Sequence, residues 1–136
     1  MEFLKSLKVA ASGLKAQTGR MRVIAENIAN AESVAATPEA DPYRRRVPTF
    51  KTVVDRELNV QMVEPSRIKM DQSAFRMDFD PGHPAANEDG YVKKPNVNSL
   101  IESVDLREAQ RSYEANLNIV TATRRMMSRT LDILRS

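Results

Sequence analysis

The sequence predicts a mainly α protein with a small β part, its N- and C-terminal helices packed as a coiled-coil-like pair, with a small β-rich middle segment and an ordered loop. Three observations predict it. Leu4, Leu7, Ala11, Leu14, Met21, Ala25 and Ile28 recur at helical spacing near the N-terminus. Leu106, Tyr113, Val120, Met127 and Leu134 fall on a seven-residue repeat near the C-terminus, flanked by Ala109, Leu117 and Leu131. Between the two lie short alternations and turn-forming residues. Sustained seven-residue repeats imply helices that wind around one another. The chain accordingly divides into an N-terminal helix over 1–32, a loop and small β-rich domain over 33–96, and a C-terminal helix over 97–136.

The first helix is expected from about Phe3 to Asn30, roughly 40 Å long at the α-helical rise. Its main stripe is Leu7, Leu14, Met21 and Ile28, widened by Leu4, Ala11 and Ala25 on one side and Phe3, Ala10 and Ile24 on the other. Lys8, Lys15 and Arg22 make a solvated flank. Almost opposite the main stripe runs a thinner one of Val9, Ala16 and Val23, accompanied by Ser12 and Gly19. An ordinary surface helix would be charged there. Gly13 and Gly19 each cost about 1 kcal/mol relative to Ala inside a helix, so either they break or kink it or close approach of another backbone offsets the cost. The second stripe and the glycines together predict packing against more than one neighbour.

Ser33, Thr37, Pro38, Asp41 and Pro42 give the next segment the composition of a loop. Period-two alternations then appear at Val47-Thr49, Leu58-Val60-Met62, Ile68-Met70 and Phe75-Met77-Phe79, the pattern of short half-buried strands, with a turn at Glu64-Pro65-Ser66. From Asp80 to Asn98 turn formers succeed one another, predicting an ordered reversal. The last helix is expected to start near Ser99, because Ser99 and Glu102 have the spacing of a capping box. Its apolar stripe changes phase near Asp105: Val97, Ile101 and Val104 lie on another side from Leu106, Tyr113 and Val120. Such a slip bends a helix or hands its apolar face to a second partner.

Composition narrows the function classes. Apolar residues are 41% and aromatics 5%, with no Trp, so two long helices must find partners for much of their surface. The 21 Lys+Arg against 18 Asp+Glu make a mixed-sign surface, and the one basic run, Arg44-Arg45-Arg46, is too short to predict nucleic-acid binding. The absence of cysteine rules out disulfides, thiolate metal sites and cysteine nucleophiles. His83 is the only histidine, and with Asp80, Glu88 and Asp89 it lacks the ligand spacing of a zinc or calcium site. No phosphate-cradling glycine loop or nucleophile elbow occurs, and neither an enzyme nor a cofactor is expected. Met21, Met126 and Met127 are expected as flexible fillers of helix contacts, and Met62, Met70 and Met77 of strand contacts. Lys5 and Lys8 interrupt what a cleaved secretory signal would need, and no stretch reaches transmembrane length. The expectation is a soluble protein, or one exported with its N-terminus uncleaved.

Specific strings carry a resemblance. Ser12-Gly13-Leu14, Gln17, Arg20, Ile24-Ala25 and Asn27-Ile28-Ala29-Asn30-Ala31 resemble the N-terminal motif of the bacterial flagellar rod and hook axial proteins. Arg111-Ser112-Tyr113-Glu114-Ala115-Asn116 resembles the C-terminal motif of the same family. Asp80-Pro81-Gly82-His83-Pro84-Ala85-Ala86-Asn87, with Gly90-Tyr91-Val92 and Pro95-Asn96-Val97-Asn98, is similar to proximal rod members of that family. The resemblance implies a subunit of the rod that crosses the periplasm and transmits torque from motor to hook. It implies export by the flagellar type III apparatus without a cleaved signal. The partners implied are copies of the chain and other rod proteins, with the basal-body rings and export apparatus, and neither nucleic acid nor direct membrane insertion. The expected assembly residues are Leu7, Leu14, Met21 and Ile28, with Val9, Ala16 and Val23 on the second stripe, and Leu106, Tyr113, Val120, Met127 and Leu134 on the last helix. A soluble coiled-coil adaptor, needing one seam per helix and closing as a dimer or trimer, is the alternative.

Overall fold

The computed structural model describes residues 2–136; Met1, which opens the first expected domain, lies outside them. Element order is α1 (Glu2–Ala29), β1 (Arg46–Val47), β2 (Phe50–Asp55), β3 (Val60–Pro65), β4 (Lys69–Met70), β5 (Arg76–Phe79), β6 (Tyr91–Lys94) and α2 (Ser99–Arg135). The two terminal helices pack against each other, and the strands between them form three antiparallel two-stranded ribbons, β1–β4, β2–β3 and β5–β6. The mainly α fold with a small β part is the one the sequence predicts. Two strands were not foreseen. In β2 the outward residues Phe50 and Val54 are as apolar as the inward Val53, so alternation is hidden, and β6 sits among the turn formers that precede α2.

Contacts divide the chain into two units: residues up to Met21 with Thr49–Arg67 and Arg107–Ser136, and Arg22–Pro48 with Ile68–Leu106. In the first unit the β2–β3 ribbon lies along α1. Its turn is set by Asp55, whose Oδ1 accepts from the amides of Glu57 (2.9 Å) and Leu58 (3.1 Å), and by Asn59 at φ 52°. Register pairs Thr52 with Val63 and Val53 with Met62. Val53, Asp55, Val60 and Met62 are half-buried, whereas Phe50, Val54 and Val63 are exposed. The ribbon is tied to α1 by Lys8, which donates to Asp55, and by the Val63 amide, which donates to Ser12 Oγ at 3.4 Å. Ala16, on the same helical face as Ser12 and Gly19, is buried.

In the second unit the core is Val23, Ile24 and Ala31 with Ala85, Val92 and Val97. The β5–β6 hairpin pairs Phe79 with Tyr91, their rings edge to face at 5.3 Å. Its long loop is ordered by backbone bonds from Asp80 N to Gly90 O (2.9 Å) and from Asn87 N to Tyr91 O (2.9 Å). Gly90 has φ +86°, and a Cβ there would stand 2.9 Å from the Phe79 ring, so both backbone and space demand glycine.

The start of α2 corrects the expected capping box. Asn98, not Ser99, is the N-cap: its Oδ1 accepts from the amides of Leu100 (3.1 Å) and Ile101 (3.3 Å), while its carbonyl accepts from Glu102 N (3.0 Å). Glu102 turns away from the cap into the protein. The phase change near Asp105 neither ends nor interrupts the helix, which runs on to Arg135 with Ile101 and Val104 exposed.

Candidate assembly surface

The surface between α1 and α2 is built from small and polar residues. In the first unit Gly13 faces Asn116 so closely that a Cβ on Gly13 would stand 2.7 Å from the Asn116 amide nitrogen. That amide donates to Ser112 O at 2.9 Å. Arg20 pairs with Glu108 at 3.7 Å, and Ala10, Ala109 and Thr123 are buried. In the second unit the same role falls to Asn27 and Glu102, which are 0% and 1% exposed. Asn27 Nδ2 donates to Arg46 O at 2.8 Å and to Glu102 Oε2 at 3.4 Å, and Glu102 also accepts from Arg45 Nε. Helices that meet at glycine and alanine approach closely, and their large apolar residues are left for other faces.

Of these pairing residues only Gly13 was foreseen, as a point of close approach. Gly13, Arg20 and Asn27 on α1, and Glu102, Ala109, Asn116 and Thr123 on α2, each follow a seven-residue repeat. Hydrophobicity does not carry that signal, because none of the seven is a large apolar residue. Glu102, expected on a solvated face with Asp105, Arg107, Glu108 and Arg111, is a buried ion-pair partner instead.

The expected assembly residues fall into three groups. Leu7, Leu14, Met21 and Ile28 on α1, with Leu106, Tyr113, Val120 and Met127 on α2, are half-buried. Val9 is exposed, and Leu134 is 76% exposed. Ala16 and Val23 are buried within their own chain. Large apolar side chains left open on α2 include Leu117, Ile119, Leu131 and Ile133 in the first unit and Leu100, Ile101 and Val104 in the second. A groove of about 380 Å³ lies among Lys5, Val9, Val60, Asn116 and Ile119. Met70, Met77 and Met126, expected as fillers, are exposed.

Charged groups are mostly spent inside the fold. Arg44 Nη1 donates to Asp71 O (2.9 Å) and Ser73 O (3.0 Å) with its guanidinium over the Phe75 ring, Arg45 reaches Glu102 and Asp71, and Arg46 pairs with Glu26 at 3.4 Å. The basic run is therefore a structural clamp in the second unit. The Lys8 ammonium, then the Leu58 amide, hold the Asp55 carboxyl below its ordinary value, and Lys94 and Arg76 do the same to Glu32. His83 Nδ1 accepts from Ala85 N at 2.9 Å within its own turn. Among the described residues no group of three or more His, Cys, Asp or Glu is placed to hold a metal ion, and no helix is long and apolar enough to cross a membrane.

Both helices of this surface match known families. Residues 7–35 match the family described as flagella basal body rod protein, and residues 88–133 the one described as flagellar basal body rod FlgEFG protein C-terminal. The whole chain is similar to the flagellar basal-body rod protein FlgC of Agrobacterium fabrum, 47% identical over 95% of this chain and 93% of that protein. The chain belongs to the FlgC family. FlgC of Bacillus subtilis is 40% identical, over 98% of this chain and 99% of its own length. FlgC of Salmonella typhimurium is 35% identical, with 98% of both chains covered. The two matched stretches contain this chain's pairing residues from Gly13 to Asn27 and from Glu102 to Thr123.

Proposed function

We propose that this structural subunit of the flagellar basal-body rod joins its neighbours through the outward apolar faces of α1 and α2, while the polar strip between the helices serves pairing within the chain. The observation that carries the reading is the division of residue types. The helix pair is closed by Gly13, Asn116, Asn27 and Glu102, yet Leu117, Ile119 and Leu134 stand exposed. Clustered exposed apolar side chains mark contact surfaces. The joints are Leu7, Leu14, Met21, Ile28 and Val9 on α1, with Leu106, Tyr113, Val120, Met127 and Leu134 on α2. Contacts between unlike faces, repeated without closing, build an open helical tube. Many such contacts along a tube give the stiffness that torque transmission from motor to hook needs.

The same reading places the subunit in the proximal rod, across the periplasm, beside other rod proteins and the basal-body rings. It reaches that place through the flagellar export apparatus with no cleaved signal, and acts by holding and stiffening, not by turnover. The test uses Leu117→Asp and Leu134→Asp in a flagellated host lacking its own copy of the protein. Both side chains are exposed, so the purified variants should keep wild-type helicity and thermal midpoint, yet be missing from isolated basal bodies and leave the cells non-motile. Variants found in basal bodies at wild-type level would show that these faces are not the joints.

A further inference from the structure

We propose that the buried network around Asn27 and Glu102 is a register lock, admitting one alignment of α1 on α2 where the rest of the pairing strip admits several. The Asn27 amide is fully engaged. Its Oδ1 accepts from Arg46 N (3.0 Å) and the Tyr43 hydroxyl (2.7 Å), and its Nδ2 donates to Arg46 O (2.8 Å) and Glu102 (3.4 Å). One side chain thus reads both backbone groups of Arg46. Arg45, beside it, donates to Glu102 and to Asp71 Oδ2 (3.4 Å), and its own amide donates to Asn96 Oδ1 (2.8 Å). Asn96 in turn donates to Asp71 O (3.0 Å). The network joins the end of α1, the segment leading into β1 and the first turn of α2, and every member has one set of partners.

A slip of α2 along α1 by a heptad would leave the Glu102 carboxylate and the Asn27 amide buried without those partners. A buried charge stripped of its partner is the costly case. The strip in the first unit imposes no such penalty. Moving α2 by a heptad sets Gly13 against Ala109 or Thr123 in place of Asn116, and neither is larger than the residue it replaces. A lone buried polar residue fixes register in coiled coils by the same reasoning. Asn27 and Glu102 are positioning residues: they determine which outward residues of the two helices stand side by side.

The chain contains no cysteine, so Thr18→Cys and Thr121→Cys, both at exposed positions of the first unit, can carry nitroxide spin labels without interference. In the full-length chain, electron–electron distance measurement should give one narrow population. Combining Asn27→Leu with Glu102→Leu should add a second population displaced by up to about 10 Å, the rise of seven helical residues, with helicity retained. Glu102→Gln, which keeps shape and gives up the Arg45 charge pair, should add the same population at lower weight. A single unshifted distance in both variants would overturn the lock. So would loss of helicity in the double variant alongside an unshifted distance in Glu102→Gln, since the network would then act on stability alone. The measurement needs no assembly, so its outcome is separate from that of the rod reading.

Discussion

Gly13 and Gly19 have the same helical cost and different surroundings. A Cβ at Gly13 would meet the Asn116 amide at 2.7 Å, whereas one at Gly19 would have only Pro65 Cγ at 4.0 Å. Gly19→Ala should therefore raise stability by about 1 kcal/mol, the helix-propensity difference, seen as a higher thermal midpoint. Gly13→Ala should gain nothing, because the Asn116 amide must move and give up its bond to Ser112 O. Adding Asn116→Ala to Gly13→Ala should restore the gain, and equal midpoints for the two single variants would refute the close approach. The sequence made the presence of both glycines in a helix legible, together with the idea that close approach offsets them. Which of the two is crowded depends on the partner helix, and no local pattern contains that. Asn27 and Glu102 were hidden for a related reason: a polar residue in a helix looks solvated until its partners from Tyr43, Arg45 and Arg46 are brought to it.

At the scale of elements, the helices were legible and the ribbons were only partly so. α1 and α2 have many turns of periodic residues, and their ends fall close to the expected ones. The ribbons have two strands each, so a strand need bury only one shallow face, and the opposite face can keep Phe50 and Val54 without losing its pairing. Alternation then weakens as a signal. The N-cap of α2 shows how a short motif misleads. Ser99 and Glu102 have capping-box spacing, but the burial of Glu102 against Arg45 outweighs a bond to the cap, and Asn98 takes over. Asn98→Ala should cost about 1 kcal/mol, measured by denaturant unfolding, and Ser99→Ala should cost almost nothing. The reverse order would restore the capping box.

At the scale of the whole molecule, the repeats at the two ends of the chain serve two purposes that sequence alone did not separate. The small and polar heptads close the helix pair, and the apolar ones that drew attention stand beside them, half-buried or open. The end of α2 shows the division most plainly. Every residue from Ser128 to Ser136 is exposed, and Leu131, Ile133 and Leu134 are 60%, 74% and 76% exposed. Helical stability comes mainly from tertiary packing, so these turns add little to an isolated subunit, and an apolar end without a function there is a liability. Deleting residues 129–136 should therefore leave the thermal midpoint of the purified chain unchanged while keeping it out of isolated basal bodies. In the full-length chain the backbone amides of this segment should exchange with solvent fast when it is free, and slowly in purified basal bodies. An adaptor that closed as a dimer or trimer would instead protect them in the purified protein, at a rate that depended on its concentration. Fast exchange that persisted in basal bodies would remove the end of α2 from the joints.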